Sequence, residues 1–365
     1  MALQRELLFS YRKLVLKISV RFFLQYNANQ GSFCQIEAYG RSHATSWIRI
    51  VSSCPERITW LILCRWKVNN ETAADQVVNA IKAGYRLFDC AQDYGNETEC
   101  GQGVRRAIKE GLVKREELFI VTKVWSTFHG KHAIPSIRRS LDLWGLDYFD
   151  LVYIHFPIAL EYVDPKVRYP PGWAYDGKDE IVYARAPLHE TWGQMEKAVE
   201  QGLTRHIGIS NYTGALILDL FSYARIPPSV LQIEHHPYLT QPRLLDLAKE
   251  KGIAVTGYSS FGPQSFIELQ WEKTQNIDLL FENPVVVEAA RAHRRTPAQV
   301  LLRWATQRGV CVIPKSNNPK RLIENLDVCS FDLTQKELDD ISALNKGFRF
   351  NDPADEMKNP IRLFA

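Results

Sequence analysis

From residue 59 onward the chain alternates between two textures. The first is a short apolar run of strand length: TWLILCRW (59–66), YRLFDCA (85–91), LFIVTKVW (118–125), FDLVYIHF (149–156), RHIGISN (205–211), VLQIEHHP (230–237), IAVTGYSS (253–260) and VCVIPKS (310–316). Most of these runs lack the alternation of a half-exposed strand, which suits a parallel sheet covered on both faces. The second texture is amphipathic. ETAADQVVNAIKAG sets Ala74, Val77, Val78 and Ile81 on one helical face and stops at Gly84. GQGVRRAIKEG, AIPSIRRSLDLWG, LHETWGQMEKAVEQG, TGALILDLFSYA and QPRLLDLAKEKG follow the second to sixth strands, and PKRLIENL follows the last. TPAQVLLRWATQRG opens with Thr296 as cap and Pro297 in its first turn. Eight strands alternating with eight helices predict an α/β chain folded as a (β/α)8 TIM barrel over residues 59–365.

A doubly wound fold would instead show a G-x-G-x-x-G turn after an early strand. GQGVRR has only two glycines, inside a helical pattern. Residues 157–187 and 261–283 interrupt the alternation as long βα loops. A barrel sets such loops around its active mouth, where long ordered loops bind or cover a ligand. The tail NKGFRFNDPADEMKNPIRLFA is expected over the same mouth. Residues 1–58 fit neither texture and read as an atypical N-terminal extension, disordered or translated from non-coding sequence. Within them, LLFSYRKLVLKISVRFFLQY is broken by Arg12, Lys13, Lys17 and Arg21, so it is no membrane span; a basic surface helix or a targeting segment are its alternatives.

Composition narrows the partners. A net charge of +4 on 365 residues, with basic residues scattered, gives no nucleic-acid stripe. Seven widely spaced cysteines without a C-x-x-C argue against a disulfide framework and structural zinc. A reducing, cytoplasmic setting with no metal is expected. A homodimer and a monomer both stay open.

In the barrel frame, Asp89, Lys123 and His155 fall at the C-terminal ends of strands two, three and four, and Tyr94 follows in the next loop. That combination has a chemical use. A phenol is a poor acid at neutral pH. A neighbouring ammonium favours its phenolate. Asp89 would hold Lys123, Tyr94 would protonate a carbonyl oxygen, and His155 would orient that oxygen by a hydrogen bond. Each residue alone has a plainer reading: a structural ion pair, a loop aromatic, a satisfied core histidine. The last strand leads into Lys315, Ser316, Asn317 and Arg321 around a helix start, which suits a ribose phosphate or a solvated basic helix end. Ser210, Asn211 and Gln232 could bind a carboxamide, and Tyr258 could stack on a nicotinamide or fill the core.

WKVNNETAADQ, GYRLFDCAQDYGNE, LVKREELFIVTK, LDYFDLVYIHFPIA, GISNYTGALI, LQIEHHPYL, GYSSFGPQSF, LLRWATQRG, VIPKSNNP and RFNDP together resemble the aldo-keto reductase superfamily, most closely its fungal D-xylose (aldose) reductases, from about Trp66 to Phe364. The resemblance implies NAD(P)H-dependent reduction of an aldose, D-xylose to xylitol, in carbohydrate metabolism, with Asp89, Tyr94, Lys123 and His155 as the catalytic tetrad. A general aldehyde or glycerol reductase is the alternative. By the same likeness, Ser210, Asn211, Gln232 and Tyr258 take the nicotinamide, and Ser259, Phe261, Gln264, Ser265 and Glu268 strap the cofactor. Lys315, Ser316, Asn317, Arg321, Glu324 and Asn325 take its adenosine phosphate. Glu268 beside Lys315 and Arg321 implies preference for NADPH with some use of NADH. The implied substrate pocket is Trp66, Asp93, Trp125, Phe128, His155, Phe156 and Asn351. Two departures stand out. Gln92 replaces a commoner acidic residue, and ITWLILCR lacks the glycines of the family's first strand, with Leu63 and Arg65 in their place. The second departure raises the alternative of a catalytically impaired protein.

Overall fold

The computed structural model describes residues 63–64, 70–267, 270–357 and 359–364. Residues 1–58, most of the first strand run, Trp66 and Glu268 lie outside the described residues. Eight strands lie in chain order, each parallel to the next: β1 (Leu63–Cys64), β2 (Leu87–Asp89), β3 (Phe119–Val124), β4 (Phe149–Ile154), β5 (Thr204–Ser210), β6 (Val230–Glu234), β7 (Ala254–Tyr258) and β8 (Val310–Val312). The crossovers between them are helical: α1 (Asn70–Ala83), α2 (Glu97–Lys109), α3 (Ala133–Trp144), α4 (Leu188–Glu200), α5 (Gly214–Tyr223) and α6 (Pro242–Glu250). α7 (Pro284–His293) and α8 (Pro297–Gln307) join β7 to β8, and α9 (Pro319–Leu326) and α10 (Gln335–Ser342) follow. This is the (β/α)8 arrangement the apolar runs predict.

Among the described residues, two full helices go beyond the eight expected, with two single turns of helix at Glu272–Gln275 and Pro353–Glu356. α7 begins PVVVEAARAH, and three successive β-branched residues after a proline mask a helix. Its cap is supplied by Asn283, whose side chain accepts from Val285 N. α10 starts on a capping box between Thr334 and Glu337. The predicted cap at Thr296 forms, with its hydroxyl accepting from Gln299 N.

α2 starts at Glu97, ahead of the expected Gly101, so both glycines of GQG lie inside it. They are contact points. A Cβ on Gly101 would stand 2.5 Å from the Trp144 backbone in α3, and one on Gly103 would stand 2.6 Å from Ala74 O in α1. Neither glycine serves a dinucleotide.

Strand periodicity then positions the site. Alternate residues share a face, and Phe119, Val121, Leu151, Tyr153, Val230 and Cys311 form a small buried cluster distinct from the large core packed against the helices. Two residues on from that cluster, the same phase gives Lys123, His155 and Gln232; in the ladder Asp89 pairs with Val121, Ser210 with Gln232 and Tyr258 with Glu234. Gly208 keeps this inner layer open: a Cβ there would stand 2.8 Å from the Tyr153 ring.

Candidate active site

β2 ends on Asp89, and a single 3-10 turn, Gln92–Tyr94, follows and closes on Gly95 in the left-handed region (φ 67°). Glycine tolerates that conformation freely. The turn carries the Tyr94 phenol back over the strand ends. Lys123, fully buried at the end of β3, is ion-paired to Asp89 and donates to Cys90 O at 2.8 Å and to Tyr94 Oη at 3.3 Å. An ammonium has three donors, and here each has an acceptor. The other Asp89 oxygen accepts from Gln232 Nε2 at 2.8 Å. The buried pair is thus hydrogen-bonded on both sides, as its desolvation requires.

His155 faces Tyr94 edge-on, with ring centroids 5.8 Å apart. Burial, and next the Lys123 charge, hold its pKa well below the ordinary histidine value, so the ring is neutral. Its Nδ1 is buried without a partner. The proton is therefore best carried by Nε2. Asn211, in the left-handed region (φ 63°), donates from Nδ2 to His155 O at 2.9 Å and accepts at Oδ1 from Tyr258 Oη at 2.6 Å.

These groups open onto a cavity of about 810 Å³, within the range of cofactor and substrate clefts. Tyr94, His155, Asp93, Trp125, Phe156 and Asn351 line one part, and Ser210, Asn211, Gln232 and Tyr258 line the floor. Ser259, Phe261, Gln264 and Ser265 flank it from the β7 loop. Lys315, Ser316, Asn317, Arg321, Glu324 and Asn325 line its far end, where β8 runs into α9. Asp89 and Lys123 sit beneath the wall, reaching the cavity through Tyr94.

One residue expected in the pocket lies away from the cavity. Phe128 is buried in the core, edge-on to Tyr162, and is not on the cavity wall. A ring that does line the cavity is Trp173, from the 157–187 loop. It packs 4.6 Å from Trp125 and 4.8 Å from Phe156, between centroids. Its loop is tied down by Trp125 Nε1 donating to Gly172 O at 2.8 Å and Gly172 N donating to Asp93 at 3.1 Å. A second unforeseen residue anchors the same loop. Glu97, buried at the start of α2, accepts from Tyr169 Oη at 2.9 Å, and also from Thr122, Ser140 and Trp144. Burial pushes the Asp93 carboxyl up to about 7, against the opposing pull of the Gly172 N–H. Gln92, the departure beside the turn, accepts from Trp125 N at 3.0 Å and donates to Ser140 Oγ at 3.2 Å, holding Trp125 from behind.

The donor set fits a phosphorylated nicotinamide dinucleotide. Amides and a phenol lie at one end, and at the other are two cations, a serine and an asparagine beside a helix N-terminus. Among the described residues no group of three or more histidine, cysteine, aspartate or glutamate side chains could hold a metal ion.

A model of the aldo/keto reductase family matches residues 59–346. The chain is 62% identical over 289 residues to the "Probable NAD(P)H-dependent D-xylose reductase xyl1" of Aspergillus clavatus, covering 79% of this chain and 87% of that one. It is 60% identical over 289 residues to the NAD(P)H-dependent D-xylose reductase xyl1 of Aspergillus niger, covering 79% and 90%. Among solved structures it resembles the aldose reductase of Schistosoma japonicum, with a TM-score of 0.71 and 33% identity over 80% of this chain and 90% of that one.

Proposed function

The chain belongs to the aldo/keto reductase family, and from that premise we propose that it is an NAD(P)H-dependent reductase of open-chain aldoses, converting D-xylose to xylitol. The observation that carries the reading is the Lys123 ammonium 3.3 Å from the Tyr94 phenol on the wall of the cavity. Bound reduced nicotinamide supplies the hydride. The chain's own groups manage the oxygen. Tyr94 gives its proton to the carbonyl oxygen as negative charge develops there. Lys123 stabilises the phenolate left behind, and Asp89 holds Lys123 in place. The neutral His155 donates from Nε2 to the same oxygen and orients the aldehyde. Ser210, Asn211 and Gln232 would hold the carboxamide, and Tyr258 would stack on the nicotinamide ring. Lys315 and Arg321 take the 2′-phosphate, which favours NADPH while leaving NADH usable.

Trp125, Phe156 and Trp173 give the pocket an apolar side, and Asp93 and Asn351 a polar one. The polar side favours a hydroxylated chain. The aromatic side supports a second reading, reduction of apolar aldehydes. No helix among the described residues is long and apolar enough to cross a membrane; the cytoplasm is the compartment we propose. The test is NADPH oxidation by the purified full-length chain with xylose, arabinose, glyceraldehyde and an aromatic aldehyde. Xylose-dependent oxidation with xylitol as product supports the reading. Turnover of the aromatic aldehyde alone would favour the second, and no turnover at all would sink both.

A further inference from the structure

β6 ends in a carboxylate for which the proposed chemistry has no use. Glu234 is fully buried two residues beyond Gln232. Its Oε1 accepts from Phe350 N at 2.8 Å and from His236 Nε2 at 2.9 Å; its Oε2 accepts from Asn351 N at 3.0 Å, with the Arg349 guanidinium 3.9 Å away. Burial alone would raise its pKa. The bond to His236, the Arg349 charge and the Phe350 N–H outweigh it, so the group is ionised. A buried carboxylate with this many donors must have something to hold.

What it holds is the tail segment Arg349–Asn351. This stretch is neither helix nor strand, so its backbone N–H groups lack a ladder partner. Glu234 satisfies two of them. The consequence reaches the cavity. Asn351 Nδ2 donates to Tyr258 Oη at 3.2 Å, Tyr258 Oη donates to Asn211 Oδ1, and Asn211 donates to His155 O. Asn211 is anchored separately, its backbone N donating to Gln232 O at 2.9 Å, so a shift of the tail moves Asn351 and stops short of His155. Upstream, Phe348 N donates independently to Tyr238 O at 2.9 Å, so losing Glu234 would shift this segment without freeing the whole tail.

We infer that Glu234, held by His236, is a positioning residue that sets Asn351 over the cavity and so fixes the affinity for hydroxylated aldehydes. The inference rests on the reading that Asn351 meets the sugar. A mere packing role would affect every substrate alike. Positioning acts only where hydroxyls are bound.

The test compares Glu234→Gln, Asn351→Ala and the double variant with the parent, on xylose and on butanal. Glu234→Gln keeps the shape but sets an amide N–H where Glu234 now accepts. It is expected to raise KM for xylose about tenfold, the worth of one lost hydrogen bond, with kcat and the butanal KM nearly unchanged. In the Asn351→Ala background it should add little, since coupled residues are not additive. Amide exchange of the peptide containing Phe350 and Asn351 should quicken in Glu234→Gln. Should that variant not fold, Glu234→Asp, which keeps the charge but withdraws it by one methylene, is read the same way. Equal rises for xylose and butanal, full additivity with Asn351→Ala, or unchanged exchange would each overturn the inference. A parent inactive on xylose whose tail amides are nevertheless protected through Glu234 would sink the proposed function and leave the tail contact standing.

Discussion

The ammonium of Lys123 lies 3.3 Å from the phenol oxygen of Tyr94, and no described group but Asp89 pairs with it as an anion. If Tyr94 is the acid, Tyr94→Phe removes the proton and little else. Turnover should fall by roughly 10²–10⁴-fold, the usual worth of general acid catalysis. NADPH binding, followed by quenching of tryptophan fluorescence, should stay within about twofold of the parent. A phenylalanine variant with near-normal turnover would remove Tyr94 from the mechanism.

Lys123→Met leaves Asp89 buried and unpaired. Breaking a buried pair this way typically costs about 3–5 kcal/mol, whereas removing both charges is often near neutral. Denaturant unfolding should therefore show a large loss of stability in Lys123→Met and substantial recovery in Asp89→Asn/Lys123→Met. Activity should be lost in both. Equal stability of the single and double variants would mean the pair does not behave as a buried ion pair.

Asp93 titrates inside the working range, with its carboxyl pushed up to about 7 by burial. A carboxyl raised in the folded state contributes stability that is complete below its ordinary value and lost as pH rises through about 7. Asp93→Asn should thus gain stability relative to the parent above that pH, on the order of 1 kcal/mol. The ionised form is also the better acceptor for sugar hydroxyls, so the parent's KM for xylose should fall as pH rises through 7. The asparagine variant should show neither trend; a persistent inflection would assign it to another group.

Three buried histidines work in the opposite sense. Burial lowers the His129 pKa to about 4 and holds His155 and His235 well below the ordinary value. These groups stabilise the fold above the unfolded value near 6.5, and that contribution is lost as pH falls, for His129 by about pH 4. They outnumber Asp93, so urea midpoints should drop between about pH 6.5 and pH 5, by up to about 1.4 kcal/mol per pH unit for each histidine. His129→Gln should make the slope shallower. A midpoint flat over that interval would show these rings already protonated in the native state.

The barrel was readable because its strands are apolar on both faces and its inner phase carries through to the polar strand ends. Asp89, Lys123, His155 and Gln232 follow from counting by two. Tyr94 was readable from its place in the loop that follows the second strand. What escaped was set by tertiary contact. Trp173 sits in an irregular loop whose path depends on Gly172 and Tyr169 finding Asp93 and Glu97, far off in sequence. Phe128 looked like a pocket ring, yet its 3-10 turn directs it into the core. Glu234 and His236 read as the end of a strand, because their partners come from the tail more than 110 residues later.

Gly101 and Gly103 have the spacing of a nucleotide-binding turn, yet each admits a neighbouring helix backbone at a distance no side chain would allow. α2 is pressed between α1 and α3 at these two points, and its first residue, Glu97, reaches from there to Thr122 on β3 and Tyr169 in the 157–187 loop. An alanine in either place would wedge the outer shell apart and carry the displacement inward to the cavity wall. On the proposed reading, engineering of cofactor choice should therefore leave this glycine pair untouched and work where β8 meets α9.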